Sequence, residues 1–100
     1  MFDITLYGDQ LKSLCLDHEV KELFLFGSAL TDNFKPTSDI DLLVDFKAKN
    51  PLEYSQKYFD LKFRLEDLFG REVDLLEKRS LKNPFLIDSI DRYKTLIYAA

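Results

Sequence analysis

Two aspartates one residue apart, Asp39 and Asp41, open the apolar run "DIDLLVDF" (39–46). On a β-strand, positions two apart leave the same face with their Cα atoms ~7 Å apart. Two ionised carboxylates at that separation repel, and one is pushed toward its protonated form unless a cation lies between them. A divalent ion such as Mg²⁺ answers the problem: it takes hard oxygen ligands and binds the phosphates of a substrate. Asp74, in "REVDLLE" (71–77), holds the same kind of position on another predicted strand. If the two strands are neighbours, three carboxylates converge. Upstream, Gly27-Ser28 ends the apolar run "VKELFLF" (20–26). Glycine lets the strand turn sharply, and a serine at a helix start offers a hydroxyl and backbone N–H groups, the donors that cradle phosphate oxygens. Each feature alone is weak, since a chain with 18 acidic residues readily yields an Asp-x-Asp on a solvated strand. Together they describe a metal-assisted phosphate site.

The elements that must position these residues are legible from periodicity. Leu11, Leu14 and Cys15 fall at helical spacing in 9–18. A buried strand is expected over 20–26, a short helical turn just after Ser28, and then a loop to Ser38. In 39–46, Ile40, Leu42, Val44 and Phe46 point one way and Asp39, Asp41, Leu43 and Asp45 the other: one core face, one acidic face. Asn50-Pro51-Leu52-Glu53 combines an N-cap, a proline at the first helical position and an acid at the third, so a long helix starts there and stops at Gly70. A strand over 71–77, a helix of about two turns after Asn83-Pro84 and a last strand over 95–99 complete the order. This mixture predicts an α/β or α+β fold, a small mixed sheet backed by helices.

Composition narrows the class. One hundred residues with 46% hydrophobic content are read as one domain, 1–100, with a packed core. Apolar runs are too short to span a bilayer, the N-terminus does not read as a secretory signal, and one cysteine cannot form an internal disulfide. A cytoplasmic location is expected. The net charge of −4, without a basic stripe, argues against direct nucleic-acid binding.

Gly27-Ser28, the ten residues "ALTDNFKPTS", then Asp39-Ile40-Asp41, with Asp74 in a "VDL" strand beyond a glycine-terminated helix, resemble the motif set of the nucleotidyltransferase superfamily related to the palm of DNA polymerase beta. Within it, the chain is similar to the minimal nucleotidyltransferases, antitoxin partners of HEPN-type ribonuclease toxins, from Leu14 to Tyr98. The resemblance implies transfer of a nucleoside monophosphate, from ATP, to a hydroxyl, a tyrosine on the partner toxin in antitoxins of this kind. It implies that Asp39 and Asp41 hold two Mg²⁺ ions, that Asp74 completes the nucleophile-side site and takes the proton, and that Gly27, Ser28 and Ser38 contact the nucleotide. One departure stands out. Many members follow Gly-Ser with Arg-x-Arg-Gly, whereas this chain has Ala29-Leu30-Thr31-Asp32. Losing two cations weakens the expected hold on a triphosphate, with Lys35 or Arg71 as possible substitutes. An alternative is therefore an inactive binding module that neutralises its partner by covering it. The small size favours a second chain supplying the acceptor, or self-association.

The remaining candidates have plainer readings. His18 is expected at the surface or as a helix cap, Cys15 in the core, and no Cys/His cluster suits structural zinc. "GSALTD" lacks the Gly-Lys-Ser/Thr ending of a P-loop. The stripe Tyr54, Tyr58, Phe59, Phe63, Leu65 reads as core, with an exposed patch there favouring a partner surface.

Overall fold

The computed structural model describes residues 2–47 and 49–100. Helix α1 (Gly8–Asp17) leads into β1 (Val20–Phe26), a single 3₁₀ turn (Gly27–Leu30) and a loop, then β2 (Ile40–Phe46), α2 (Pro51–Phe69), β3 (Val73–Glu77), α3 (Pro84–Tyr93) and β4 (Thr95–Ala99). The four strands form one mixed sheet in the order β3-β2-β1-β4. β1 runs antiparallel to both β2 and β4, while β2 and β3 are parallel, joined by α2 as the crossover.

The strand faces follow from alternation. Ile40, Leu42, Val44 and Phe46 are fully buried in one cluster with Leu23, Leu25, Leu61, Leu65, Val73 and Leu75, beneath α1 and α2. Each such side chain contributes about 1.5–3 kcal/mol by leaving water. The opposite face is not simply acidic, as alternation alone implies. α3 lies across part of it, so Leu43 packs with Phe24 and Ile90, and Leu76 leans on the same cluster. Asp45 is also buried there, with Arg79 nearby. The acid-rich face thus survives only at the N-terminal ends of β2 and β3, where Asp41 and Asp74 stand.

The termini of α2 behave as their residue types dictate. The Asn50 side chain accepts from the Leu52 N–H, Pro51 fills the first turn, and Gly70 adopts a left-handed conformation (φ 67°, ψ 28°). Asn83 caps α3 likewise, and that helix runs ten residues, longer than the two turns expected. Two 3₁₀ turns, Ile4–Tyr7 and Lys78–Ser80, carry no clear sequence pattern. His18 is not at the surface. It is buried, its Nδ1 against the Leu14 carbonyl at the end of α1 and its Nε2 against the Asp60 carboxylate of α2. The capping role holds, and the residue also ties two helices together. Of the α2 stripe, Leu65 is fully buried and Tyr54 and Tyr58 partly so, but Phe59 and Phe63 are more than half exposed. No helix among the described residues is long and apolar enough to cross a membrane.

Candidate active site

Register brings the carboxylates together. In the parallel pairing of β2 with β3, Asp41 stands opposite Asp74. In the antiparallel pairing of β1 with β2, Asp41 stands opposite Phe26, so Gly27 immediately follows its cross-strand partner. The Gly-Ser turn and two aspartates therefore meet at one end of the sheet, although they span 48 positions of sequence. Asp39, one residue before β2, is exposed at the same end, as is Asp74, while Asp41 is half-buried.

Electrostatics link all three. The Asp41 carboxyl is pushed above its ordinary range, first by burial, then by the negative charges of Asp74 and Asp39. This is the unrelieved repulsion that a cation would remove. Among the described residues, no three or more His, Cys, Asp or Glu side chains form a ready cage for a metal ion. An open site fits Mg²⁺ better than a cage would, since that ion is held by one or two carboxylates and completed by water and phosphate oxygens.

The turn at Gly27 disfavours any residue with a side chain. Its φ is +76°, a region that side chains disfavour, and a Cβ there would lie 2.2 Å from Asp41 Oδ2. The absent side chain leaves room for the carboxylate. Ser28 is the second residue of the 3₁₀ turn and is half-buried, Ala29 is fully buried, and the Thr31 hydroxyl donates to the Ser28 carbonyl, closing the turn. Beside Gly27 runs a groove of about 790 Å³, walled by Phe26, Leu30 and Thr31 on one side and Leu86, Ile90 and Tyr93 of α3 on the other.

Ser38 and Asp39 end a loop anchored by Arg71. The Arg71 Nη1 donates to the carbonyls of Lys35 and Ser38, both at 3.2 Å, and its guanidinium sits 4.5 Å from the centre of the Phe34 ring. The Ser38 hydroxyl accepts from the Lys35 N–H. Arg71 thus holds the loop that carries Asp39, a role its sequence context did not disclose; Lys35 is exposed. Tyr58 was also not legible as a site neighbour. Its hydroxyl donates to the Leu75 carbonyl, one residue beyond Asp74, and its acidity is weakened by burial and by the Asp74 charge. Only the tertiary placement of α2 against β3 brings it there.

Comparison with known proteins agrees with this geometry. Residues 9–97 match the model of the nucleotidyltransferase domain family. The candidate protein adenylyltransferase MJ1217 of Methanocaldococcus jannaschii is 40% identical over 81 residues, 81% of this chain and 78% of that protein. A solved minimal nucleotidyltransferase candidate is 30% identical with a TM-score of 0.70, covering 92% of this chain and 90% of that one. The fold also matches a solved complex of a tri-AMPylated Shewanella oneidensis HEPN toxin with an MNT antitoxin, at 19% identity and a TM-score of 0.68, covering 98% of this chain and 74% of that one. The chain belongs to the nucleotidyltransferase domain family, with a four-stranded mixed sheet backed by helices and its acidic pair in register beside the glycine turn.

Proposed function

We propose that this protein transfers AMP from ATP to a hydroxyl of a partner protein, and that the partner is a HEPN-type toxin silenced by the adduct. The observation that carries this reading is the pairing of Asp41 with Asp74 beside the left-handed Gly27 turn. The adenylyltransferase name of the M. jannaschii relative and the AMPylated toxin bound to the S. oneidensis antitoxin supply the acceptor class.

Asp39, Asp41 and Asp74 would hold Mg²⁺, which supplies charge neutralisation and a lowered hydroxyl pKa when bound. The chain's own groups do the rest. Backbone N–H groups and the Ser28 hydroxyl bind the terminal phosphates, and Ser38 orients the nucleotide from the loop fixed by Arg71. The groove beside Gly27 has the size and apolar lining for a nucleoside. In the transfer step the acceptor oxygen forms a bond to the α-phosphorus while the bond to the bridging α–β oxygen breaks. Pyrophosphate leaves, and the acceptor proton passes to the Asp74 carboxylate. The lone, buried Cys15 suits a reducing cytoplasm.

Labelled ATP, Mg²⁺ and the toxin encoded beside this protein test the reading. Label should appear on the toxin and vanish with Asp41→Asn; transfer that survives this change removes the mechanism. One observation favours a second reading, a binding module without turnover: the turn after Ser28 supplies Ala29 and Thr31 where arginines would neutralise phosphate, and adds the negative charge of Asp32. On that reading, Asp39→Asn/Asp41→Asn still protects cells from the toxin, and loss of protection with an intact complex rejects it.

A further inference from the structure

One wall of the groove beside Gly27 carries an aromatic ring that the fold leaves bare. Tyr93, the last residue of α3, lines the groove and is 70% exposed. Among the described residues its ring meets no other aromatic and its hydroxyl has no hydrogen-bond partner. Leu86, Ile90 and Tyr93 stand four and three residues apart, so a single face of α3 supplies the wall. Ile90 is buried with Phe24 and Leu43 and holds the helix on the sheet, whereas Leu86 and Tyr93 stay open to water. Apolar surface left bare along a groove is surface for a ligand. Every nucleobase offers a flat π-face to such a ring, whatever groups its edge carries.

The polar groups of the groove point the same way. Among the described residues lining it, none is charged and none carries an amide or imidazole; the polar side chains are the hydroxyls of Thr31, Ser89, Tyr93 and Thr95. The Thr31 hydroxyl is committed, donating to the Ser28 carbonyl and accepting from the Asn33 N–H. The others can donate or accept by rotation. The main chain on the walls is largely committed too: the Leu86 N–H to Asn83, the Ile90 carbonyl to Lys94, Thr95 to Leu25 in the β1–β4 ladder and Phe26 to Asp41 in the β1–β2 ladder. Adenine presents a donor where guanine presents an acceptor, and a rotating hydroxyl satisfies either. A site without fixed polar partners separates ligands by about a hundredfold, against about ten-thousandfold for one that hydrogen-bonds a chosen edge.

We infer that this groove is a base-tolerant nucleoside subsite with Tyr93 as its stacking platform, ranking nucleoside triphosphates by stacking surface, purine ahead of pyrimidine, and not by the edge of the base. This rests on the transferase reading, which puts the phosphates at the Gly27 end of the same groove. Use of ATP then reflects its supply and not its recognition.

The test uses the full chain with Mg²⁺ and labelled ATP, GTP, CTP and UTP. Binding is read by equilibrium dialysis without an acceptor, and transfer by label on the toxin encoded beside this protein. The four nucleotides should bind within about a hundredfold of one another, ATP and GTP ahead. Tyr93→Ala, an exposed change expected to fold, should weaken ATP and GTP about tenfold, and Tyr93→Phe should keep them within about threefold of the parent. Phe85→Ala, which removes an exposed ring outside the groove, should leave binding unchanged. A preference for one purine over the other beyond about a hundredfold, or pyrimidines ahead of purines, overturns the base-tolerant subsite. Unchanged binding in Tyr93→Ala, equal loss in Phe85→Ala, or equal loss in Tyr93→Phe overturns the platform. The expected binding pattern without transfer counts against the transferase reading and leaves the subsite standing. Transfer that ignores Tyr93 does the reverse, and failure of all four nucleotides to bind removes both.

Discussion

Replacing Gly27 by alanine probes the geometry of the site most directly. The residue sits at φ +76°, and the left-handed region costs a residue with a Cβ about 1–2 kcal/mol. The new methyl would also fall 2.2 Å from Asp41 Oδ2 and 3.0 Å from its Cγ. The carboxylate can swing aside, so overpacking adds only about 1 kcal/mol more. A total of about 2–3 kcal/mol in a chain of this size lowers Tm by about 10–20 °C. Calorimetry with and without Mg²⁺, paired with the ATP-transfer assay, reads both consequences: reduced stability and loss of transfer as Asp41 is displaced. Two controls separate the causes. Gly8→Ala, at a helical φ of −52° with nothing within 4 Å of the added Cβ, should be neutral or stabilising. In an Asp41→Ala background, where the carboxylate is gone, Gly27→Ala should cost only the backbone part, about 1–2 kcal/mol. A Gly27→Ala protein with Tm within about 2 °C of the parent and intact transfer refutes the close approach of turn and carboxylate.

Three further outcomes are expected. Asp41 is raised in the fold above 3.8, so its favourable contribution is complete below pH 3.8 and is lost as pH rises through the raised value; at neutral pH without divalent ions, Asp41→Asn should raise Tm, and Mg²⁺ should stabilise the parent more than the variant. Arg71→Ala removes two hydrogen bonds and a ring contact from the 31–39 loop; the KM for ATP should rise about tenfold with a fall in stability of only about 1–2 kcal/mol, and equal loss in both would mean the arginine merely supports the fold. Burial holds the Cys15 thiol near pKa 12, so maleimide should label it only as fast as the chain unfolds; rapid labelling of the native protein contradicts its burial.

Most elements were legible because the local signals agreed. The Asn50-Pro51 and Asn83-Pro84 starts, the Gly70 stop and the two-residue alternation of 40–46 each specify backbone geometry without reference to distant residues. The convergence of Asp41 and Asp74 required one more fact, that β2 and β3 are adjacent, which alternation cannot supply. What alternation missed was coverage: Leu43 and Asp45 occupy outward positions by period, yet α3 and Arg79 bury them. The same limit hid Arg71, Tyr58 and the burial of His18, whose partners lie 17 or more residues away except for the Leu14 cap. Contacts made through a helix crossing leave no periodic trace in the chain.

The ten positions between Ser28 and Asp39 look like a fixed ruler in the linear motif, but the strand pairing gives them a different meaning. Phe26 and Asp41 are clamped opposite each other by the β1–β2 ladder, so the distance from turn to carboxylate is set by that ladder and not by the tether between them. The tether can therefore exchange contour length and charge, arginines for Ala29 and Thr31, while its two ends stay where they are. Affinity for the leaving group can drift in such a chain without any change in where the reacting atoms meet.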